Sequence, residues 1–367
     1  MPHGRHWLDA ALDKLPPLRR LYWRHSAGWK RAWCRALHRA GRLRPSAFVL
    51  WIATYRCNYA CAFCEASAGA SAPHELKTEE ALALVDDLAK LRARRLLISG
   101  GEPLLRQDLP AVIERAARLR ILPGLISNGS LVEARWPELR PFRYFLYVTS
   151  IDGPPAFHDG MRQGPEAHAK ALRSLELFAS LDTPLRVVQT VVHPRNLELL
   201  GSMAERLAAA GATDWQLAPV VACGRAAGHL EFQLSGRQLR TLLEFVQDQR
   251  GRRGLNVDLA ESHSYLNCFA GRIGHRPFFC GAGLTRCAVM PNGDVLACGQ
   301  AYGSALPEGN IRHTPLSYIW RHGFESFRRP ERPGLCCGCE YWSTCQGGCW
   351  AQREISGDCL LPVWKES

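Results

Sequence analysis

Residues 47–64 read Ala-Phe-Val-Leu-Trp-Ile-Ala-Thr-Tyr-Arg-Cys-Asn-Tyr-Ala-Cys-Ala-Phe-Cys. The stretch opens with an apolar run, residues 47–53, of the length and type of a buried strand. The rest is a loop holding Cys57, Cys61 and Cys64 in a C-x3-C-x2-C spacing. Three thiolates so close in sequence suit three irons of a cubane cluster and leave the fourth iron without a protein ligand. An open iron is a place for a small molecule that carries an amine and a carboxylate. A structural zinc ion asks for four ligands, one more than this run supplies.

Working outward, the strand at 47–53 is the first of six apolar runs. The others lie at 95–98, 121–126, 143–150, 185–192 and 214–218. Helical patterns lie between and after them, at 78–92, 108–120, 131–138, 165–180, 197–210 and 235–250. Six strand–helix units in alternation predict an α/β fold, a parallel sheet with helices outside. Six units are two short of a full barrel, and the pattern leaves open whether the sheet closes. In such folds the chemistry sits at the C-terminal ends of the strands. After about residue 255 the rhythm stops. Residues 260–367 are rich in Cys, Gly and Pro, and 289–295 reads as a hairpin turning at Pro291, Asn292 and Gly293. Bound metal can supply the cohesion that so irregular a segment lacks.

Fifteen cysteines is a high count for 367 residues. A secreted disulfide protein would need an export signal. The opening Met-Pro-His-Gly-Arg-His-Trp offers none, and no run reaches the roughly 18 apolar residues of a membrane span. A cytoplasmic location with metal-bound cysteines is therefore expected. Of the net +12 charge, nine units fall in residues 1–45, where eleven Lys and Arg face only Asp9 and Asp13. This head also holds Trp7, Trp23, Trp29 and Trp33, and short amphipathic helices are plausible, for example around 18–41. Exposed tryptophans are unusual, so the head is expected to pack on the body, with partner docking as the sharper reading. The near-neutral remainder gives no sign of a nucleic-acid partner.

The cysteine run, with aromatic Phe63 just before its third cysteine, resembles the signature of the radical S-adenosylmethionine superfamily. The resemblance extends to Ser99-Gly100-Gly101-Glu102-Pro103 after the second strand, where the family has its Gly-Gly-Glu motif. It implies that Cys57, Cys61 and Cys64 hold a catalytic [4Fe-4S] cluster and that Phe63 lies by the adenine of S-adenosylmethionine. Gly100 and Gly101 would let backbone approach the ligand. Glu102 and nearby carbonyls would accept from the methionine ammonium. Ser127 and Asn128, at the end of the third strand, would line the cofactor pocket. Ser150 and Asp152, at the end of the fourth, are candidates for the ribose hydroxyls, although Asp152-Gly153-Pro154 also reads as a turn. His158, Asp159 and Arg162 fit the family pattern after this strand, where their roles are mixed.

Cys280-x12-Gly293-x4-Cys298, then Cys336-x2-Cys339-x5-Cys345-x3-Cys349, then Cys359, resembles the seven-cysteine pattern of the SPASM domain. A zinc ribbon would use one C-x2-C pair and leave the other cysteines without partners. The resemblance implies two auxiliary [4Fe-4S] clusters, one on Cys280, Cys298 and Cys349, the other on Cys336, Cys339, Cys345 and Cys359. Cys359 departs from the family's usual placement, which is further on and follows an Asp-Pro. The fourth ligand of the first auxiliary cluster stays open between Cys268, Cys287 and substrate. Cys34, Cys223 and Cys337 read as ordinary small side chains, with Cys223 on the active face.

The implied architecture is a partial (β/α)6 barrel over 46–255 followed by a SPASM domain over 256–367, behind the basic head at 1–45. The implied activity is cleavage of S-adenosylmethionine to a 5′-deoxyadenosyl radical that abstracts hydrogen from substrate. A peptide or protein substrate, modified by crosslinking, oxidation or epimerisation, is the first expectation. A small molecule such as a haem precursor is the alternative. Gly299 and Gln300 after Cys298 disfavour a sulfatase maturase, and the Gly-Gly-Glu motif disfavours a mere iron–sulfur electron carrier. A flavodoxin- or ferredoxin-type reductant is expected, and a separate docking protein is a further candidate partner.

Overall fold

The computed structural model describes residues 16–249, 254–260, 278–300, 306–329 and 332–356. The head contains one long helix, α1 (Pro16–Arg39). Pro16 and Pro17 suit its first turn. Gly41, at φ +65°, closes its C-terminus, with Arg42 N–H donating to Leu37 O (2.8 Å) and Gly41 N–H to His38 O (2.9 Å). This is a Schellman cap.

The six expected strands form as β1 (Phe48–Ile52), β2 (Arg95–Ser99), β3 (Leu122–Ile126), β4 (Leu146–Ser150), β5 (Arg186–Val192) and β6 (Asp214–Pro219). Each runs parallel to the next. Parallel neighbours need crossovers. These are α2 (Thr78–Lys90), α3 (Leu109–Arg118), α4 (Trp136–Leu139), α5 (Pro155–Arg162), α6 (Ala167–Ser180) and α7 (Ala204–Ala209), with α8 (Gly236–Gln249) after β6. In α2 the buried Ala81, Leu84, Val85 and Leu88 form one stripe. Each large apolar side chain there contributes about 1.5–3 kcal/mol, and Leu88→Asp would put an unpaired charge into that layer.

Side-chain alternation along the strands divides the interior in two. Val49, Trp51, Leu96, Ile98, Leu125, Tyr147, Val188 and Trp215 belong to the core between sheet and helices. Leu50, Ser99, Ile126, Val148, Gln189 and Gln216 line a cavity on the concave side. The strands therefore wrap one central space.

Three features differ from the sequence reading. A seventh strand, β7 (Asn256–Leu259), continues the parallel order beside β6, so the sheet passes the point where the rhythm ends. The helix expected over 131–138 is only the short α4, since the chain turns over residues 130–135. The expected hairpin forms from β8 (Arg286–Val289) and β9 (Asp294–Leu296), with Gly293 at φ +88°. β8 also pairs, in parallel, with the outer edge of β1. β10 (Gly309–Asn310) completes the order β10-β9-β8-β1-β2-β3-β4-β5-β6-β7. β7 and β10 are edges, so this is a partial barrel whose sheet runs straight into the C-terminal lobe.

That lobe adds α9 (Leu316–His322), α10 (Glu325–Arg328), α11 (Trp342–Cys345) and α12 (Trp350–Ser356). Its keystone is Arg328, 1% exposed, which donates to Gly283 O (3.1 Å) and Gly323 O (2.8 Å) and lies over the rings of Trp320 and Phe324. α1 docks on this lobe. Arg35 Nε donates to Arg328 O (2.7 Å), and Ser26, Ala27, Arg31 and Cys34 are buried. Its outward face carries Trp29 and Trp33, 54% and 65% exposed. The expectation that the tryptophans pack inward fails for these two. Trp7 lies outside the described residues. No helix among the described residues is long and apolar enough to cross a membrane.

Candidate active site

The strands enclose a cavity of about 420 Å³. Cys57, Cys61 and Cys64 line it together with Phe63, Gly100, Gly101, Ser127, Asn128 and Ser150. These expected residues come from the loops after β1, β2 and β3 and from the last residue of β4, at the strand ends where barrel chemistry resides.

The cysteine loop is held by contacts from three separate segments. The Glu75 carboxylate accepts from Thr54 Oγ1 (2.8 Å), Tyr55 N–H (2.9 Å) and Ala72 N–H (2.8 Å). The Gly-Gly-Glu turn packs backbone to backbone on the loop's start: Gly101 N–H donates to Thr54 O and Glu102 N–H to Arg56 O, both at 2.8 Å. A Cβ at Gly101 would run into the Arg56 carbonyl. From beyond β6, Arg225 donates through Nε to Cys61 O and through Nη1 to Ala68 O, both at 2.7 Å, and its N–H reaches Cys64 O at 3.0 Å. Gly224, at φ +57°, permits this approach, since a Cβ there would strike the carbonyls of Cys64 and Glu65.

Arg162 lies 5.0 Å from the Phe63 ring, and its Nη1 is 3.8 Å from Cys61 Sγ. Burial raises the Cys57 and Cys61 thiols above their ordinary range, and Arg162 opposes this at Cys61. A thiol kept neutral by burial is ionised by an attached metal. Among the described residues, no three ligating side chains stand close enough for a bare ion. Cys57, Cys61 and Cys64 line one cavity together, as the ligands of one cluster would. A donor set of three thiols, one guanidinium and a concave polar rim fits the implied cluster and its small-molecule ligand.

Two expected cofactor contacts do not face the cavity. Glu102 is wholly buried behind its wall, and the carboxyl accepts from Leu104 N–H (3.0 Å), Ser127 Oγ (3.0 Å) and Asn128 N–H (2.8 Å). Burial pushes it up to about 7 despite these donors. Glu102 therefore fixes Ser127 and Asn128, and in this structure it does not offer its carboxylate to an ammonium. Asp152 is also wholly buried. It takes Arg162 through Nε (2.6 Å) and Nη2 (3.0 Å) and accepts from Val191 N–H (2.9 Å). Its oxygens are committed to the protein, so the ribose role is corrected to one of anchoring Arg162. His158 Nδ1 accepts from Asp152 N–H (3.0 Å), and Asp159 accepts from His168 N–H (2.8 Å) at the start of α6. Both are structural.

In the C-terminal lobe, Cys349 is buried beside Phe278, Cys298, Cys345 and Trp350. Burial pushes its thiol up to about 12, and Cys280 and Cys298 add to the rise, which brings the expected trio together. Cys336, Cys339 and Cys345 share the neighbouring turns: Cys339 N–H donates to Cys336 O (3.1 Å), and Cys345 ends α11. Cys268 and Cys359 lie outside the described residues. Cys287, on β8, lines the central cavity together with Cys298, and burial pushes its thiol up to about 12. Cys34 is buried on α1, and Cys337 is exposed. Cys223 neighbours Glu65 and Cys64. Sequence reasoning missed Glu75, Arg225, Gln189, Gln216 and Arg286. The Gly-Arg pair after Cys223 was the available signal for the clamp.

The comparisons with known proteins agree with this geometry. A family profile described as the radical SAM superfamily matches residues 51–207, and one described as an iron–sulfur cluster-binding domain, SPASM, matches 280–340. The mycofactocin maturase MftC of Mycolicibacterium smegmatis is 28% identical over 84% of this chain and 79% of its own length. The AdoMet-dependent heme synthase of Oleidesulfovibrio alaskensis is 28% identical, over 83% and 82%. The PqqA peptide cyclase of Granulibacter bethesdensis is 30% identical over 86% of each. Streptococcus suis SuiB, solved with precursor peptide SuiA, shares the fold at a TM-score of 0.68 and 17% identity, over 86% of this chain and 74% of that one. The chain belongs to the radical S-adenosylmethionine superfamily, as an enzyme whose SPASM domain carries auxiliary iron–sulfur clusters.

Proposed function

We propose that this enzyme modifies a peptide or a segment of a protein. The observation that carries the reading is the cavity wall. Gln189 from β5 and Gln216 from β6 line the same cavity as the three thiols, among apolar neighbours such as Leu50, Ile126 and Val148. Neutral amides pair with peptide groups without demanding a charge. One relative described above is named a peptide cyclase, and SuiB is solved with a precursor peptide.

Cys57, Cys61 and Cys64 would hold the cluster that binds S-adenosylmethionine. Together they supply, when bound, a 5′-deoxyadenosyl radical able to abstract hydrogen. The chain's own work is placement. Arg225, Glu75 and the Gly-Gly-Glu turn fix the thiols, Phe63 offers an apolar face to the adenine, and Ser127, Asn128 and Ser150 offer polar groups at the rim. Arg162, locked by Asp152, keeps a positive charge beside Cys61. The apolar wall excludes water from the reacting carbon. Cys280, Cys298 and Cys349 would hold one auxiliary cluster, and Cys336, Cys339, Cys345 and Cys359 the other. A flavodoxin- or ferredoxin-type protein would deliver the electron, a docking protein would serve if the head does not bind substrate, and the cytoplasm is the fitting location.

The second reading, a tetrapyrrole substrate, draws on the heme synthase likeness and on Arg286, a guanidinium on the cavity wall suited to a propionate. The test is substrate-dependent formation of 5′-deoxyadenosine by reduced, reconstituted enzyme. A short peptide encoded beside this gene should stimulate it and change mass. Stimulation by an iron tetrapyrrole alone would replace the peptide reading with the second.

A further inference from the structure

Arg31 on α1 is a buried cation in unusual company. It is 9% exposed, and its Nη1 donates to Phe327 O at 3.2 Å. Its Nε is buried with no hydrogen-bond partner among the described residues. Burial acts most strongly against its charge, followed by the neighbours Cys280, Arg35, Cys34 and Arg353, with no carboxylate among these groups. The surrounding contacts point to the same place. The neighbouring Lys30 Nζ stands 6.0 Å from the ring of Phe279, next to Cys280, and Phe327 packs at 4.8 Å on Trp350, next to Cys349. A buried guanidinium with no carboxylate partner among the described residues is unfavourable. A cluster on Cys280, Cys298 and Cys349 carries net negative charge on sulfur and would supply the missing acceptor.

We propose that Arg31 donates its Nε–H to the auxiliary cluster held by Cys280, so that the N-terminal helix is the cover that sets this cluster's reduction potential. The proposal rests on the ligand reading above. An N–H donor and a fixed positive charge both favour the more negative, reduced cluster, which raises its potential. Arg31 is a positioning and tuning residue here. It explains why a basic helix packs on the C-terminal lobe through Arg31 and Arg35 while leaving Trp29 and Trp33 outside.

The experiment is a redox titration followed by electron paramagnetic resonance on the full, anaerobically reconstituted chain. Cys280→Ala should remove one auxiliary signal. Arg31→Leu should move the midpoint of that same signal to more negative potential, with iron per chain and the other two midpoints unchanged. Arg31→Gln, which keeps an N–H but not the charge, should give a smaller shift in the same direction. Arg35→Gln, which removes the neighbouring cation that bonds Arg328 O, should shift the midpoint clearly less than Arg31→Leu. If Arg31→Leu loses iron, Arg31→Gln decides. An unmoved midpoint in the Arg31 variants, or an equal shift from Arg35→Gln, overturns the proposal. If Cys280→Ala leaves every signal intact, the ligand reading itself fails and the proposal falls with it.

Discussion

The barrel site and the C-terminal cysteine lobe both hold thiols, but they hold them differently. Around Cys57, Cys61 and Cys64 the protein makes its own scaffold. Strands in fixed register, the Glu75 carboxylate, the Arg225 clamp and the buried Asp152–Arg162 pair all converge on one loop. Around Cys336, Cys339 and Cys345 there is one four-residue helix, α11, packed on α1, and mainly local turn hydrogen bonds. The first site is a preformed socket, whereas the second resembles small metal domains in which the ion supplies much of the folding energy.

The largest expected effect follows directly. Removal of iron and sulfide should open residues 332–356 to limited proteolysis while the 47–249 barrel stays resistant, and reconstitution should restore protection. Equal cutting of both regions, read by mass spectrometry of the fragments, would erase the contrast.

Asp152→Asn sharpens the comparison from the barrel side. It leaves the Arg162 charge without its carboxylate, at a cost of about 3–5 kcal/mol, measurable as a loss of denaturation midpoint at pH 7. Burial works against ionisation, but Arg162, with His158, holds the Asp152 carboxylate well below its usual range. Such a depressed carboxylate contributes stability above the unfolded value near 4 and loses it as pH falls further. The gap between variant and wild type should therefore be full at pH 7 and shrink below about pH 4. A gap that widens on acidification would contradict the pairing.

Arg225→Ala should act more locally. It removes two side-chain hydrogen bonds from a charged donor, worth on the order of 1.5–3 kcal/mol each before relaxation. Iron occupancy of the barrel cluster should fall, with little change in the C-terminal signals. Loss of the C-terminal signals instead would mean that the clamp acts on the whole fold. Smallest of all, Trp29→Ala with Trp33→Ala should move stability by about 0.5 kcal/mol or less, as exposed side chains do. A large drop in thermal midpoint would show that these rings are covered by protein.

The socket was far more legible in the sequence than the lobe, for physical reasons. The C-x3-C-x2-C loop and the six apolar runs announce themselves because buried parallel strands are continuously apolar. β7 escaped because Asn256 and Asp258 alternate with Val257 and Leu259 over only four residues. The docking of β8 on β1 escaped because local hydrophobicity does not encode a partner more than 200 residues away. Glu102 and Asp152 were read as ligand contacts because their motifs sit at the right strand ends. That both carboxylates are spent on the protein depends on burial and on Arg162 and Ser127 folding back, which spacing does not reveal. Arg225 carries no motif beyond a glycine, yet it closes the socket.

The most direct measurement is 5′-deoxyadenosine formation from S-adenosylmethionine by the reduced, anaerobically reconstituted chain, set beside the triple variant Cys57→Ala, Cys61→Ala, Cys64→Ala. The account predicts turnover and about twelve irons per chain for wild type, from three cubane clusters, with no turnover and about eight irons for the variant. Turnover that persists without the three cysteines, or wild type that holds only about four irons, would contradict it.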